Sequence, residues 1–283
     1  MTVDDIAGHP ALHGFIQRQS RSFFAVYEAD PHLASVFASQ QRWLMSHAAL
    51  ALHFRRDPAD PRTGLTAARF VDFIDANGVA SRNTGHAFIN EMLQYEYALR
   101  LPDAGDGRTR PLEPAQITLA AADIWVTAHL STLDDLDGGR RLETFTSAGS
   151  GALAVLHPLI SDGLLSSSVV RKPEGTFSLF IWLNNGGIVM DWLVAAIEDI
   201  ETDAECIPTA VISVTEMARW LKLSRSHLSR KLVEVEKSGG IGWQGKRGRS
   251  AMWVSRTFLD EYRMMQAIKL AVIDAAFDAC FGR

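Results

Sequence analysis

The clearest structural pattern in the chain lies in Val214-Thr-Glu-Met-Ala-Arg-Trp-Leu-Lys-Leu-Ser-Arg-Ser-His-Leu-Ser-Arg-Lys-Leu232. It begins just after a Ser/Thr helix cap and continues with helix-forming residues up to a tight turn at Lys222-Leu223. Ser224 then caps a second helix. The apolar side chains of this helix lie on one face, and its polar and basic side chains lie on the opposite face. Two short helices joined by such a turn predict a helix-turn-helix unit.

The residues that follow predict a basic β-hairpin and a long helix. Residues 238–255 give a short strand, a tip rich in Gly, Lys and Arg, and a returning strand with Met252 and Val254. The glycines stand where the chain must turn back. Residues 256–280 then repeat apolar side chains at helical spacing.

Charge is distributed unevenly along the chain. The 283 residues carry a net charge of −5, yet the segment from Arg219 to Arg256 contains ten Lys and Arg residues and only two acidic ones, Glu234 and Glu236. Because the local field steers a polyanion, this net charge does not exclude a nucleic-acid partner.

The same pattern occurs earlier, about 143 positions upstream. Val26 and Val169, Phe37 and Phe180, Leu50 and Leu193, and Ser81-Arg82 and Ser224-Arg225 keep that spacing in order. In the first copy, residues 70–93 give a helix, an Asn-Gly turn and a Ser-capped helix, although the first helix and turn align only with a gap. The repeat predicts one module written twice.

The second copy resembles the winged helix-turn-helix domain of MarR-type bacterial regulators. In that family the second helix enters the major groove and the wing tip reaches toward the minor groove. Members are about half as long as this chain and act as homodimers held by their terminal helices. The resemblance therefore implies double-stranded DNA as the partner, a fused dimer within one chain, and a bacterial cytoplasmic, nucleoid-associated location. It also admits a small-molecule effector.

We therefore expect a mostly α protein with small β-wings, in which two winged helix-turn-helix modules form a pseudo-two-fold intramolecular dimer. Module 1–143 has its helix-turn-helix at about 66–94 and its wing at about 99–113. Module 144–283 has them at about 213–237 and 240–255. A helical core (about 32–54, 114–135, 187–200 and 256–280) would hold the copies together, joined by a linker at 147–151, with recognition helices about 34 Å apart.

Lys and Arg neutralise phosphates, whereas Arg, Asn, Ser and His at the start of a groove helix can contact base edges. We expect base contacts from Arg225 and Ser226 and from Arg82 and Asn83. The other predicted DNA-binding residues are Thr84, His86, Arg108, Arg110, Ser224, His227, Ser229, Arg230, Lys231, Lys246, Arg247 and Arg249. Because the first wing contains Asp103 and Asp106 beside Arg108 and Arg110, its charge is less favourable.

The sequence thus predicts a sequence-specific regulator, more a repressor than an activator, acting on an imperfect palindrome. Two alternatives stay open. One is a tandem winged-helix replication initiator; the other is a ligand-sensing or protein-interaction scaffold with one active DNA-binding module. We expect no enzyme, cofactor or metal site, because no catalytic constellation stands out, segment 147–151 lacks a P-loop, and His9 and His13 have no third ligand nearby. The sequence shows neither a signal-peptide pattern nor an apolar segment of membrane-spanning length, so we expect neither export nor membrane insertion.

Overall fold

The computed structural model describes residues 1–33, 39–102, 110–181, 186–200 and 204–282. The protein is mostly helical, with 69% helix and two small antiparallel sheets. The expected helical class with short β elements is thus confirmed.

In chain order the described helices are α1 (Val3–Ala7), α2 (Leu12–Ala29), α3 (Gln40–Phe54), α4 (Ala67–Ala76), α5 (Arg82–Gln94), α6 (Gln116–Asp137), α7 (Arg141–Ser147), α8 (Ala152–Ser166), α9 (Ser168–Arg171), α10 (Gly175–Ile181), α11 (Gly186–Ala195), α12 (Val214–Trp220), α13 (Arg225–Lys237) and α14 (Arg256–Phe281). The strands are β1 (Ala98–Arg100), β2 (Leu112–Pro114), β3 (Cys206–Pro208), β4 (Ile241–Trp243) and β5 (Met252–Ser255).

Contacts divide the chain into two compact units. Unit 1 comprises Met1, Gln41–Arg171 and Lys269–Arg283, and unit 2 comprises Thr2–Gln40 and Lys172–Ile268. Each unit therefore combines segments that are distant in sequence. The division into 1–143 and 144–283 follows the repeat rather than these contacts, and it stays a prediction.

Segment 147–151, expected to link the modules, lies inside unit 1, where Gly149–Gly151 forms a 3-10 turn before α8. Its role as a linker stays a prediction, but the bounds of one predicted helical region are wrong. The helix expected over about 187–200 ends at Ala195, and the Ala196 carbonyl accepts the Ala210 N–H at 2.7 Å. A longer helix would place Glu198 and Asp199 at its negative end, where carboxylates are unfavourable.

Unit 1 contains a first helix–hairpin segment, residues 65–114. Thr66 caps α4, and a turn with Gly78 at φ 62° closes it as the Val79 N–H donates to the Ile74 carbonyl at 2.9 Å. Strands β1 and β2 pair antiparallel, with Arg100 opposite Leu112. A third strand position is marked by the bridge between Thr66 and Pro111.

Unit 2 contains a second helix–hairpin segment, residues 206–255, with the same local order. Lys222 at φ 49° closes α12, where the Leu223 N–H donates to the Ala218 carbonyl at 2.9 Å. Strands β3, β5 and β4 form a three-stranded antiparallel sheet in that order. Helices α5 and α13 each have 13 residues, and a positive φ follows each of them, at Glu96 and at Gly239.

An aromatic cluster fixes α2 beside the second helix–hairpin segment within unit 2. The rings of Trp192 and Trp220 lie 4.4 Å apart, and Phe24 and Tyr27 contact Trp220. The Tyr27 hydroxyl donates to the Leu221 carbonyl at the end of α12. Helix α2, which the repeat assigns to the first module, therefore packs in the unit of the second segment.

The core of unit 1 includes buried histidines. His47 Nδ1 lies 3.1 Å from His157 Nε2, and the His47 and Trp125 rings meet edge to face at 4.8 Å. His129 is also buried, with Nδ1 2.7 Å from the Trp125 carbonyl. Burial lowers the pKa of His47 and His129 well below 6.5 and that of His157 to about 3. The neutral imidazoles therefore act as core groups.

These histidines predict a loss of stability in acid. The folded pKa of His157 lies below its unfolded value of 6.5, so the folded state binds fewer protons, and stability is lost as pH falls from about 6.5 toward about 3. The loss is about 1.4 kcal/mol per pH unit for each such histidine. Urea unfolding between pH 7.5 and 5 checks this. His157→Gln should reduce the pH dependence, and an unchanged dependence would contradict the assignment.

Candidate nucleic-acid interface

Helix α13 presents one apolar and one polar face. Leu228, Leu232 and Val235 are buried, and α13 packs against α10, α12 and β4. Arg225, Ser226 and Arg230 are exposed, whereas His227, Ser229 and Lys231 are partly exposed. The apolar packing thus turns the predicted DNA-binding side chains outward.

The N-terminus of α13 is capped by Ser224. Its hydroxyl accepts the His227 N–H at 3.5 Å, at the long end of hydrogen-bond geometry. Unpaired N–H groups and the helix dipole make this end attractive to an anion. Arg225 and Ser226 are the first two residues of the helix, where a groove-binding helix contacts bases.

The tip of the β4–β5 hairpin is an ordered turn. The Arg249 N–H donates to the Lys246 carbonyl at 2.9 Å, and Gly248 has φ 72°, a conformation that favours glycine. The Ser250 hydroxyl accepts the Gly245 N–H at 3.0 Å and donates to the Lys246 carbonyl at 3.1 Å. Lys246, Arg247 and Arg249 are exposed on this turn.

Arg247 joins the hairpin tip to α13. Its Nη2 donates to the Ser229 carbonyl at 3.4 Å, and its Nη1 lies 3.6 Å from Glu236 Oε2. The tip and the exposed face of the helix therefore form one surface, named here the cationic surface: Arg225, Ser226, Arg230, Lys246 and Arg249. Arg247 serves mainly to position the tip, because Glu236 offsets its charge.

Two other predicted contacts in this segment are also engaged within the protein. Lys231 Nζ pairs with Glu234 at 2.9 Å, and the Arg230 guanidinium lies 3.1 Å from His227 Nδ1. The pairs described in the segment involve neither Arg225 nor Lys246 nor Arg249. These three cations are the ones best placed to meet phosphate or base edges.

The first helix–hairpin segment places its predicted residues differently. Arg82 Nη1 lies 2.6 Å from Asp72 Oδ1 and 3.9 Å from Asp75 Oδ2, and the hydrogen bond to Asp72 raises the pKa of Arg82. Asn83, His86 and Arg110 are exposed, and the Thr84 hydroxyl lies 2.9 Å from that of Ser81. Arg108 falls outside the residues that the structure describes.

The two helix-turn-helix regions also differ in charge. Residues 66–94 contain two basic and three acidic side chains, whereas residues 213–237 contain six basic and three acidic ones. Only the second region presents the excess of positive charge that a polyanion requires.

Sequence reasoning missed the residues that hold this surface in place. No sequence signal links Arg247 to Glu236 or Ser250 to its turn, because both depend on the bend of the hairpin. The pair Asp72 and Asp75 was open to prediction, since i, i+3 carboxylates on α4 precede the Ser-Arg start of α5.

Other kinds of site have less support. Among the residues that the structure describes, no group of three or more His, Cys, Asp or Glu side chains is arranged to hold a metal ion. His9 Nδ1 accepts the Ala11 N–H at 3.3 Å, and burial lowers the pKa of His13 to about 4. In the same ranges no single helix has the length and apolar composition to cross a membrane. The helices 141–147 and 149–166, which are joined by a sharp bend, together have that length and composition.

Comparisons with known proteins do not indicate a function for this chain. No protein-family model matches the chain, and no significant similarity to a curated protein or a solved structure is found.

We predict that Ser224 stabilises α13 as its N-cap. Ser224→Ala should lower the free energy of unfolding by about 1 kcal/mol, because a helix N–H loses its acceptor, whereas Ser224→Asp should keep the cap. The matched control is Ser226→Ala, a change at an exposed position two residues further along the chain. Its free energy of unfolding should stay within about 0.5 kcal/mol of wild type. Chemical denaturation measures all three, and equal losses in the two alanine variants would contradict the capping role.

Proposed function

We propose that this protein is a sequence-specific, double-stranded DNA-binding transcription regulator with two winged-helix modules in one chain. The observation that carries the proposal is the cationic surface of unit 2, where Arg247 ties a basic hairpin tip to the exposed face of α13. Such a surface offers a polyanion positive charge from two elements held in one arrangement.

The chemistry of the surface suits DNA. An α-helix fits the major groove, and an arginine at its start can donate two hydrogen bonds to guanine. Arg225 and Ser226 occupy this position on α13, followed one turn later by Arg230. Lys246 and Arg249 on the hairpin tip suit phosphates or a narrow minor groove. The helix would thus supply specificity, and the tip mainly affinity.

The local fold supports the winged-helix assignment. In the second segment the strand before the helix pair lies beside the returning hairpin strand, in the order β3–β5–β4. In the first segment the Leu65 carbonyl accepts the Leu112 N–H at 2.8 Å, so the residues just before the helix pair likewise contact the returning hairpin strand β2. The resemblance to MarR-type regulators rests on the sequence pattern of the second segment, and this strand order agrees with it. The pseudo-two-fold pairing of the modules stays a prediction from the repeat.

Repression fits this assignment best, because occupying a promoter requires no additional partner surface. A tandem winged-helix replication initiator would use the same chemistry. The selected DNA separates the two, since an initiator should favour repeated origin-type sites over one operator.

The first test is selection of bound duplexes from a random pool at about 0.15 M salt. Wild type should enrich a defined motif, and Arg225→Ala should relax one position of it at a cost of about 1–3 kcal/mol, because a bidentate base contact is lost. Circular dichroism establishes that both proteins are folded. If folded wild-type protein enriches no motif, sequence-specific recognition is wrong.

The second test concerns the hairpin tip. In the Lys246→Ala/Arg249→Ala variant, the slope of log K against log salt should fall by about 2, because two phosphate contacts disappear. Binding should weaken similarly on specific and random duplexes. Lys172→Ala, which removes an exposed charge of unit 2 outside the second segment, is the control and should leave the slope unchanged. A tip variant with the wild-type slope would show that the tip makes no phosphate contact.

A further inference from the structure

Helices α5 and α13 begin alike, but their first arginines differ in their ion pairs. Both start with a capping serine followed by arginine, at Ser81-Arg82 and Ser224-Arg225. Arg82 is held by Asp72 at 2.6 Å and by Asp75 at 3.9 Å. In the second segment, the ion pairs of the described residues do not include Arg225.

We propose that Asp72 and Asp75 keep Arg82 from DNA, so that α13 alone reads bases and the target is one half-site rather than a two-part palindrome. This inference rests on the proposed function and names the residues that set its specificity. The carboxylates act as a specificity element, because they determine which of two similar helices can approach a nucleic acid.

The geometry makes the approach of DNA to α5 unfavourable. Asp72 is 64% exposed and Asp75 51% exposed, so both carboxylates face the solvent that a phosphate would enter. A phosphate that contacted Arg82 would lie closer to both carboxylates than the electrostatic screening length, which is about 8 Å at physiological salt. An exposed pair of this kind contributes little to stability. Its effect would be on binding, because DNA would have to displace Arg82 from its partners and then lie beside two negative charges.

The second segment is more basic at two of the matching positions. The turns that close α4 and α12 use equivalent hydrogen bonds, from Val79 to Ile74 and from Leu223 to Ala218. Counted from these turns, Arg219 occupies the place of Asp75. Lys222 likewise occupies that of Gly78.

One acidic position is shared. Glu216 occupies the place of Asp72, but its carboxylate is absent from the ion pairs of the described residues in this segment. The two turns thus differ in charge where Arg219 stands in place of Asp75, and they differ in pairing because Asp72 holds Arg82 at 2.6 Å, whereas the ion pairs of the described residues in the second segment do not join Glu216 to Arg225.

The rest of α5 cannot compensate for the loss of Arg82. Arg82 is its only Lys or Arg, whereas α13 has four, at Arg225, Arg230, Lys231 and Lys237. Electrostatic contacts to phosphate supply most of the non-specific affinity of a DNA-binding protein. With its one arginine paired, α5 has no other cation with which to neutralise phosphate.

The test combines duplex selection with fluorescence anisotropy on the selected duplex at several salt concentrations. Five proteins are compared: wild type, Arg225→Ala, Arg82→Ala, Asp72→Asn/Asp75→Asn, and the last combined with Arg82→Ala. All the changed side chains are exposed, and thermal melting checks that each variant folds.

We expect wild type to select a motif with one informative half. Arg225→Ala should weaken binding by about 5- to 150-fold, whereas Arg82→Ala should change it by less than about twofold. Asp72→Asn/Asp75→Asn should bind more tightly at low salt, with a salt slope steeper by about 0.9, because Arg82 becomes free to contact a phosphate. The triple variant should lose that gain.

Two results would overturn the inference while leaving the proposed function intact. One is a two-part motif in which Arg82→Ala relaxes one half, with a loss comparable to that of Arg225→Ala. The other is a wild-type salt slope in Asp72→Asn/Asp75→Asn, which would show that the carboxylates do not restrain Arg82. Absence of duplex binding by folded wild-type protein would instead reject the proposed function, and this inference with it.

Discussion

The position of every predicted DNA contact on α13 depends on the burial of one apolar stripe of that helix. Leu228, Leu232 and Val235 lie against α10, α12 and β4. Burying each such side chain contributes roughly 1.5–3 kcal/mol, far more than any exposed ion pair. This stripe therefore fixes the rotation of the helix about its axis. Once the rotation is fixed, Arg225, Ser226 and Arg230 face solvent without needing polar contacts to hold them there.

The hairpin tip is positioned by weaker interactions, which have a different consequence. Arg247 reaches the Ser229 carbonyl and Glu236 across the surface, and Ser250 closes the turn around Gly248. These exposed contacts are worth little individually in water. Contacts of this strength place the tip beside α13 and would oppose only weakly a shift of the tip on binding a partner. Because Glu236 pairs with Arg247, it helps to position the tip but also reduces the positive charge of the surface.

The sequence predicted local elements well because their signals are local. Ser81 and Ser224 as caps, the positive φ at Gly78, and the hairpin glycines follow from backbone chemistry within a few residues. The composition of the units could not be predicted in this way, because the packing of Tyr27 on Leu221 joins residues nearly 200 positions apart. The partners of Arg82 and Arg247 were also missed. Charge counting identified these arginines, but whether an arginine is available depends on the side chains that surround it in space.

The two helix–hairpin segments are alike in their turns, caps and buried positions and differ at exposed positions. The backbone depends on a few turns, caps and buried positions: Gly85, Ile89 and Met92 of α5 are buried, as are Leu228, Leu232 and Val235 of α13. The exposed positions carry no such constraint, since a surface substitution changes stability by only about 0.5 kcal/mol. A difference such as Asp75 in one segment and Arg219 in the other can therefore reverse the charge beside the second helix of the pair without disturbing its packing. Exposed positions can thus determine what such a segment binds independently of the buried positions that determine its fold.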